Sequence, residues 1–480
     1  MNLKDKSLLE PRAYINGEWK QLDATFDVTN PATGEVIAKV SDCSIDDVKT
    51  AIDAAYEAQK EWAKRTGKER GAILRKWFDL MEENAEDLGQ ILCAEMGKPL
   101  PEAIGEIHYG ASFIEWFSEE AKRVYGDIIP GHQRDKRIMV LKQPVGVVGS
   151  ITPWNFPNAM IARKVAPALA VGCSFVARPA ELTPLSAMAM AVLAERAGVP
   201  KGVFNVVPNS HSAETGQELC ANPKISKITF TGSTRVGKIL MRQCADSIKK
   251  MSMELGGNAP FIVFDDADLD AAVEGAMIAK YRNNGQTCVC ANRLYVQDGI
   301  YDAFAEKLTA AVEKLKPGNG MDEGVTVGPL INMDAVEKVE THLKDASEKG
   351  AKLLTGGSRL DGTFFEPTVI ADVPADALVS NEETFGPVAP LIRFKTEEEV
   401  IALANDTEFG LAGYFFANDL SRVWRVAEAM ETGMVGVNTG LVSTEVAPFG
   451  GIKQSGLGRE GSKYGIEDYL EVKYVCLGGI

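Results

Sequence analysis

The chain has 480 residues, of which 45% are apolar, and a formal net charge of -16. That is ample material for two or three globular domains, and the acidic balance argues against a broad nucleic-acid or anionic-membrane surface while leaving room for a small cationic pocket. Eight cysteines are scattered along a chain whose opening, Met1 to Glu10, has no signal-peptide core, so reduced thiols and a cytoplasmic location are expected. His108, His132, His211 and His342 fall in no metal-ligand spacing, so no metal site is expected, and the apolar run Val165 to Ala177 is too short to span a bilayer.

In chain order, the region after Pro31 reads as a helical flank. Ser44 and Asp47 form a capping box, and Lys68 to Met96 carries apolar residues at helical spacing. From Val147 the pattern turns to short strands followed by helical runs: Val147 to Thr152, Ser174 to Ala177, Val203 to Val207 and Ile228 to Phe230. Such a βαβα series predicts a doubly wound, mostly parallel sheet with its ligand site beyond the C-terminal ends of the strands. A second α/β series follows a junction near Ser252, with strands at Phe261 to Phe264 and Met434 to Asn438 and a helix at Tyr301 to Leu315.

Gly285-Gln286-Thr287-Cys288-Val289-Cys290-Ala291 and Glu254-Leu255-Gly256-Gly257 supply a candidate nucleophile, Cys288, and a candidate base, Glu254. A Cys attacks a carbonyl as its thiolate, and a nearby carboxylate can take a proton from the thiol or from water. The Gly-Gln-Thr approach suggests an exposed turn. Cys290, two residues on, is a candidate redox partner that would close a strained, easily reduced ring with Cys288; a small buried packing residue is the competing reading.

Two glycine motifs mislead. Gly456-Leu457-Gly458-Arg459-Glu460-Gly461 fits the dinucleotide expression but leaves too little chain for a βαβ unit. Gly232-Ser233-Thr234-Arg235-Val236-Gly237-Lys238 approaches a P-loop, yet Ile239 stands where a magnesium-binding hydroxyl is needed. What survives of the latter is a strand, a Gly turn and a helix start that offer backbone N–H groups to a phosphate. Arg178 and Glu181 lie just past the second strand, where a carboxylate can bind a ribose diol. Asn155, in Pro153-Trp154-Asn155-Phe156-Pro157, either donates to an oxyanion or caps the following helix.

Together with Phe230-Thr231-Gly232-Ser233, Glu382-Glu383-Thr384-Phe385-Gly386-Pro387 and Pro448-Phe449-Gly450-Gly451, these motifs resemble the NAD(P)-dependent aldehyde dehydrogenase superfamily from Asn30 to Tyr474. Arg282 to Asn292 and Ser462 to Tyr469 are most similar to its succinate-semialdehyde dehydrogenase branch. The resemblance implies an α/β fold with a Rossmann-like NAD(P)-binding domain over 1–124 and 143–252, a catalytic domain over 253–449, and a return to the cofactor domain over 450–468. It also implies a small β arm, residues 125–142 and 469–480, that makes homodimers or homotetramers. By the same resemblance Cys288 attacks the aldehyde, Asn155 and the Cys288 N–H hold the oxyanion, and Glu254 activates water against the thioester. Trp154, Arg178, Glu181, Gly232, Ser233, Glu383 and Phe385 would contact the dinucleotide, and Arg163, Arg282 and Ser443 the distal carboxylate of succinic semialdehyde. Many relatives have Lys where this chain has Arg178, which bears on NAD against NADP; a carboxylate at Glu181 favours NAD by repelling a 2′-phosphate.

Other readings remain open at this point: an enzyme for another short acidic or neutral aldehyde such as glutarate semialdehyde, a CoA-acylating relative, a cofactor-free Cys hydrolase, or a structural protein that keeps the fold. Glu254 counts against the CoA-acylating reading, because such relatives generally lack the base.

Overall fold

A computed structural model describes residues 1–480. The first sheet is built on five parallel strands: Phe204–Val206, Ser174–Arg178, Val147–Ile151, Ile225–Thr231 and Lys250–Glu254, in that spatial order. Most of their residues are buried, as in strands covered by helices on each side, although Lys250–Glu254 and Ile225–Thr231 also carry polar side chains. Numbered by sequence, the order is 3-2-1-4-5, so the chain reverses direction between Val147–Ile151 and Ile225–Thr231. That switch point opens a crevice at the C-terminal ends of these two strands. The helices Ala159–Val171 and Thr234–Cys244 begin there.

From Ile45 to Glu120 the flank is helical, as its pattern after Pro31 suggests, with the strand Val36–Ser41 the exception ahead of it. The hairpin Ala13–Ile15 and Glu18–Lys20 adds antiparallel to the first sheet, and Thr25–Thr29 pairs with Val36–Ser41. Three-residue strands are too short to show a period. The capping box of Ser44 and Asp47 does open the helix Ile45–Trp62. The run from Lys68 is two helices, Gly67–Glu83 and Ala85–Met96, broken at Asn84, whose side chain turns back to the Leu80 carbonyl at 2.8 Å.

The second sheet has seven strands in the order Lys352–Thr355, Thr368–Ala371, Val388–Phe394, Ala291–Gln297, Ala259–Val263, Ala412–Phe416 and Met434–Val437, and only the first is antiparallel. Its N-terminal strand ends face the C-terminal ends of the first sheet. The connector Glu254 to Asn258 crosses directly from one to the other. Lys136–Pro144 and Leu470–Gly478 pair antiparallel along nine residues, with Asp127–Ile129 on the outer edge. Ile128, Val472 and Tyr474 are exposed on this small sheet. No helix is long and apolar enough to cross a membrane.

Candidate active site

A cavity of about 340 Å³ lies between the two sheets and is lined by Trp154, Asn155, Gly232, Ser233, Cys288, Glu383 and Phe385, among others. The first sheet contributes through residues that follow its strands. The second contributes through Cys288, Glu383 and Phe385, which precede Ala291–Gln297 and Val388–Phe394. The rule that ligands sit beyond C-terminal strand ends therefore holds for one sheet only.

Cys288 is held by a strained turn. Asn283, Asn284 and Gly285 have consecutive positive φ angles of 52°, 55° and 75°, a conformation that costs most side chains energy and that Asn and Gly accept best. A Cβ on Gly285 would lie 2.2 Å from the Gly386 carbonyl oxygen, and one on Gly257 2.4 Å from that of Cys288. Both glycines are close-contact sites. The turn is not exposed, contrary to the expectation from Gly-Gln-Thr: Gln286 and Thr287 are buried. The Gln286 amide oxygen accepts from Ile331 N at 2.9 Å and its nitrogen donates to Asn283 and Pro329 carbonyls, so its polar groups are satisfied inside the protein. Cys288 itself is partly accessible, and burial pushes its thiol up to about 12, with Arg163 acting in the opposite direction.

Asn155 does not cap the helix that follows. Its Nδ2 donates to the Gln286 carbonyl at 3.0 Å, so the amide points at the Cys288 turn. The helix Ala159–Val171 is capped instead by Glu106, whose carboxylate accepts from Asn158 N and Ala159 N at 2.9 and 3.2 Å. Glu106 also pairs with Lys98 at 2.6 Å, and Lys98 Nζ donates to the Asn155 carbonyl at 2.8 Å while sitting over the Phe156 ring. Asn283 Nδ2 reaches that same Asn155 carbonyl at 3.0 Å, and Glu102 accepts from Asn283 N at 2.8 Å. Lys98, Glu102, Glu106 and Asn283 thus lock Asn155 to the nucleophile's turn. No motif marked them, because carboxylates on a helix normally read as a solvated face.

Glu254 ends the last parallel strand of the first sheet and is buried, with one oxygen free of any hydrogen bond. Burial, then Glu460, holds its carboxyl well above the usual range; Arg163 and Lys164 oppose them. Its backbone carbonyl accepts from Gly232 N at 3.0 Å, which spends one of the N–H groups expected to face a phosphate. Of the N–H groups that follow, Val236 N donates to Ser233 Oγ at 3.3 Å, which leaves those of Ser233, Thr234 and Arg235 at the start of the helix. Arg163 departs from expectation. It is fully buried, forms an ion pair with Glu460 and stacks on Phe449. Burial lowers its basicity, but Glu460, with Tyr109, Glu254 and Cys288 adding to it, more than restores it. A guanidinium already neutralised by a buried carboxylate is a poor host for a substrate carboxylate, and Glu460 also pairs with Lys164.

The remaining residues divide by position. Glu383 accepts from Gly257 N at 3.1 Å, and burial raises its carboxyl to about 7. Phe385, at φ 57°, meets Trp154 edge to face at 5.6 Å. Arg178 and Glu181 lie outside this cavity; Arg178 donates to Glu181 at 2.7 Å and to the Asn209 carbonyl at 3.0 Å. Arg282 and Ser443 line a narrow cleft with Thr287, Val289 and Tyr414, on the two sides of Cys288 in the chain. The Arg282 guanidinium stands 5.4 Å from the Phe156 ring centre. Cys290 is corrected most clearly: it is buried, its thiol donates to the Lys280 carbonyl at 3.4 Å, and both cysteines are free. The chain after Cys288 turns straight into the core strand Ala291–Gln297, which carries Cys290 inward and away from any exposed loop.

The model of the aldehyde dehydrogenase family matches residues 19–475, and the chain belongs to that family. It is similar to a glutarate-semialdehyde dehydrogenase of Pseudomonas aeruginosa, with 65% identity covering 100% of each chain. It is also similar to a succinate-semialdehyde dehydrogenase of Escherichia coli named for NADP(+), at 63% identity and 100% of each. Among solved structures, succinate-semialdehyde dehydrogenase from Burkholderia pseudomallei superposes with a TM-score of 0.98 at 61% identity, covering 100% of both chains. The protein is therefore an NAD(P)-dependent oxidoreductase acting on small aldehydes, with the Rossmann-like α/β fold of its family.

The Lys98–Glu106 pair has a measurable consequence. Replacing Lys98 with Met leaves a buried carboxylate uncompensated and should cost about 3–5 kcal/mol, read by urea unfolding. Lys98→Met combined with Glu106→Gln should recover much of that loss. A single variant as stable as the wild type would show that the pair does not hold the site together.

Proposed function

We propose that the protein oxidises a short aldehyde carrying a distal carboxylate, succinic semialdehyde first and glutarate semialdehyde as the alternative, to the corresponding dicarboxylate. The observation that carries this is Arg282: a partly buried guanidinium beside Ser443 with no salt-bridge partner in the protein, next to the turn of the nucleophile. A carboxylate entering such a cleft gains charge-assisted, forked hydrogen bonds. Relatives named for glutarate and succinate semialdehydes support the same substrate class. Arg282→Leu should lower kcat/KM for succinic semialdehyde by about ten- to a hundredfold, the worth of a hydrogen bond to a charged group, and leave butanal much less affected. Equal losses on both would make the arginine structural.

In the mechanism, the partly accessible Cys288 thiol gives its proton to solvent water and its sulfur adds to the aldehyde carbon, and the oxyanion is held by the Cys288 N–H and by the second hydrogen of Asn155 Nδ2, the first being held by Gln286. The donor set fits a dinucleotide: Gly232 has no room for a Cβ, which would lie 2.5 Å from the Phe230 ring, Ser233 starts a helix, and Glu383 and Trp154 flank the cavity. Held there by Gly232, Ser233, Glu383 and Trp154, an oxidised dinucleotide would supply the acceptor for the hydride lost from the hemithioacetal carbon, leaving a thioester on Cys288. Glu254 then takes a proton from the water that hydrolyses the Cys288 thioester. A carboxylate must be ionised to do so. Because burial raises the Glu254 carboxyl, deacylation should be silent at acidic pH and switch on as the pH rises through that elevated value. Glu254→Gln should keep a first burst of reduced dinucleotide yet lower steady turnover by about 10²–10⁴-fold; Cys288→Ala should abolish both. Stopped-flow absorbance separates the phases, and near-normal steady turnover in the Glu254 variant would remove it from the mechanism.

NAD is proposed over NADP. Arg178 Nη2 is engaged by Glu181 and the Asn209 carbonyl while its Nε has no partner, and it is the charge of Glu181 that repels a 2′-phosphate. The relative named for NADP(+) argues the other way. Measured kcat/KM should favour NAD, and Glu181→Ala should narrow the gap; a clear NADP preference in the wild type overturns this. The sheet of Asp127–Ile129, Lys136–Pro144 and Leu470–Gly478, with two open edges and exposed Ile128, Val472 and Tyr474, supports assembly into dimers or tetramers.

A further inference from the structure

His342 belongs to no metal spacing and to no step of the reaction, yet it is only 2% exposed. It sits on the helix Met333–Glu348, whose inner face lies under the loop 382–386. Its Nδ1 is 3.1 Å from Thr384 Oγ1 and its Nε2 is 3.5 Å from Glu382 Oε2. One turn earlier on the same helix, Lys338 donates to the Glu383 carbonyl, and Val339 fills the space that a Cβ on Gly386 would need, 2.5 Å away. One helix face thus touches Glu382, Glu383, Thr384 and Gly386 of the loop.

That loop needs holding. Phe385 has a left-handed backbone at φ 57°, which a bulky residue keeps only under restraint from its surroundings. Thr384 is buried, so its hydroxyl must find a partner within the protein. Burial first, then Lys338, lowers the His342 pKa, while Glu382 and Asp345 pull it up. A neutral ring satisfies both contacts at once: Nε2–H directed at Glu382, and Nδ1 accepting from the Thr384 hydroxyl.

We infer that His342 is a positioning residue for the dinucleotide: by bridging Thr384 and Glu382, it fixes the backbone that presents the Glu383 carboxylate and the Phe385 ring to the cavity. This rests on the proposed role of Glu383 and Phe385 in holding the nicotinamide ribose and ring. Of the two contacts, the one to Thr384 dominates, because Glu382 is exposed and its contact is long.

The test is fluorescence titration of the full-length protein with NADH and with NADPH, which reads binding without turnover. His342→Leu removes both contacts, Thr384→Val removes the hydroxyl at constant shape, and His342→Asn keeps a polar atom near the position of Nδ1. Each of the first two should raise the dissociation constant about five- to tenfold, as loss of one buried hydrogen bond does. The double variant should be no weaker than the weaker single one, and His342→Asn should stay within about twofold of wild type. The aldehyde KM at saturating dinucleotide should not move. Wild-type affinity in Thr384→Val, or effects that multiply in the double variant, overturn the inference. If His342→Leu does not fold, Thr384→Val and His342→Asn decide alone. Glu383→Gln is the separate control: wild-type affinity there removes the role assigned to Glu383, and the inference falls with it.

Discussion

Three backbone segments converge where no side chain fits. Gly257 passes against the carbonyl of Cys288, and Gly285 against that of Gly386, each so closely that a single Cβ would collide with backbone oxygen. The constraint is steric and independent of charge, and everything chemical is arranged around it. It brings the end of the first sheet, the nucleophile's turn and the 382–386 loop to one cavity. Gly257 N then hydrogen-bonds Glu383 and Gly232 N bonds the Glu254 carbonyl, so the base, the nucleophile and the cofactor loops share one rigid frame. Such rigidity is what preorganised catalysis requires, since donors must already stand where charge will develop.

Around that frame lies an unusual concentration of buried charge. Lys98, Arg163 and Lys164 are sequestered from solvent, as are Glu106, Glu254 and Glu460. Ionising any of these groups in isolation would cost several kcal/mol, and the attraction between partners offsets this only with good geometry. The pairs are accordingly tight: Lys98 with Glu106, Arg163 and Lys164 with Glu460. Glu254 is left as the carboxylate with an oxygen free of hydrogen bonds. Its elevated pKa follows first from burial and then from Glu460, which also draws on the Arg163 and Lys164 cations that oppose the rise. The same logic separates the two arginines near the nucleophile. Arg163 is ion-paired with Glu460, whereas Arg282 has no salt-bridge partner in the protein.

Much of this was legible in the chain itself. Periodicity located four of the five parallel strands of the first sheet to within a few residues, since runs such as Val147–Ile151 and Ser174–Arg178 are mostly apolar and bounded by turns; Lys250–Glu254, with Lys, Ser and Glu at alternate positions, gave no such signal and fell at the expected domain junction. Ile225–Thr231 was read short, at Ile228 to Phe230, because Lys227 looks polar although its side chain is buried. Short local motifs also marked the family, because Gly257, Gly285 and Gly386 are demanded by local close approach and so leave a local trace.

What the sequence by itself determined is therefore local: strand and helix periods, the glycines of tight turns, and which side chains have the chemistry of a nucleophile or a base. Only the tertiary structure decided which charges are already paired and which polar atoms are satisfied. Arg163 and Arg282 look alike in sequence, and a distant carboxylate at Glu460 tells them apart. Cys290 seems to share a loop with Cys288 until the core strand carries it inward, and Asn155 reads equally as a cap until Glu106 is seen to do the capping. Burial and electrostatic pairing depend on partners dozens or hundreds of residues away, and no local pattern encodes them.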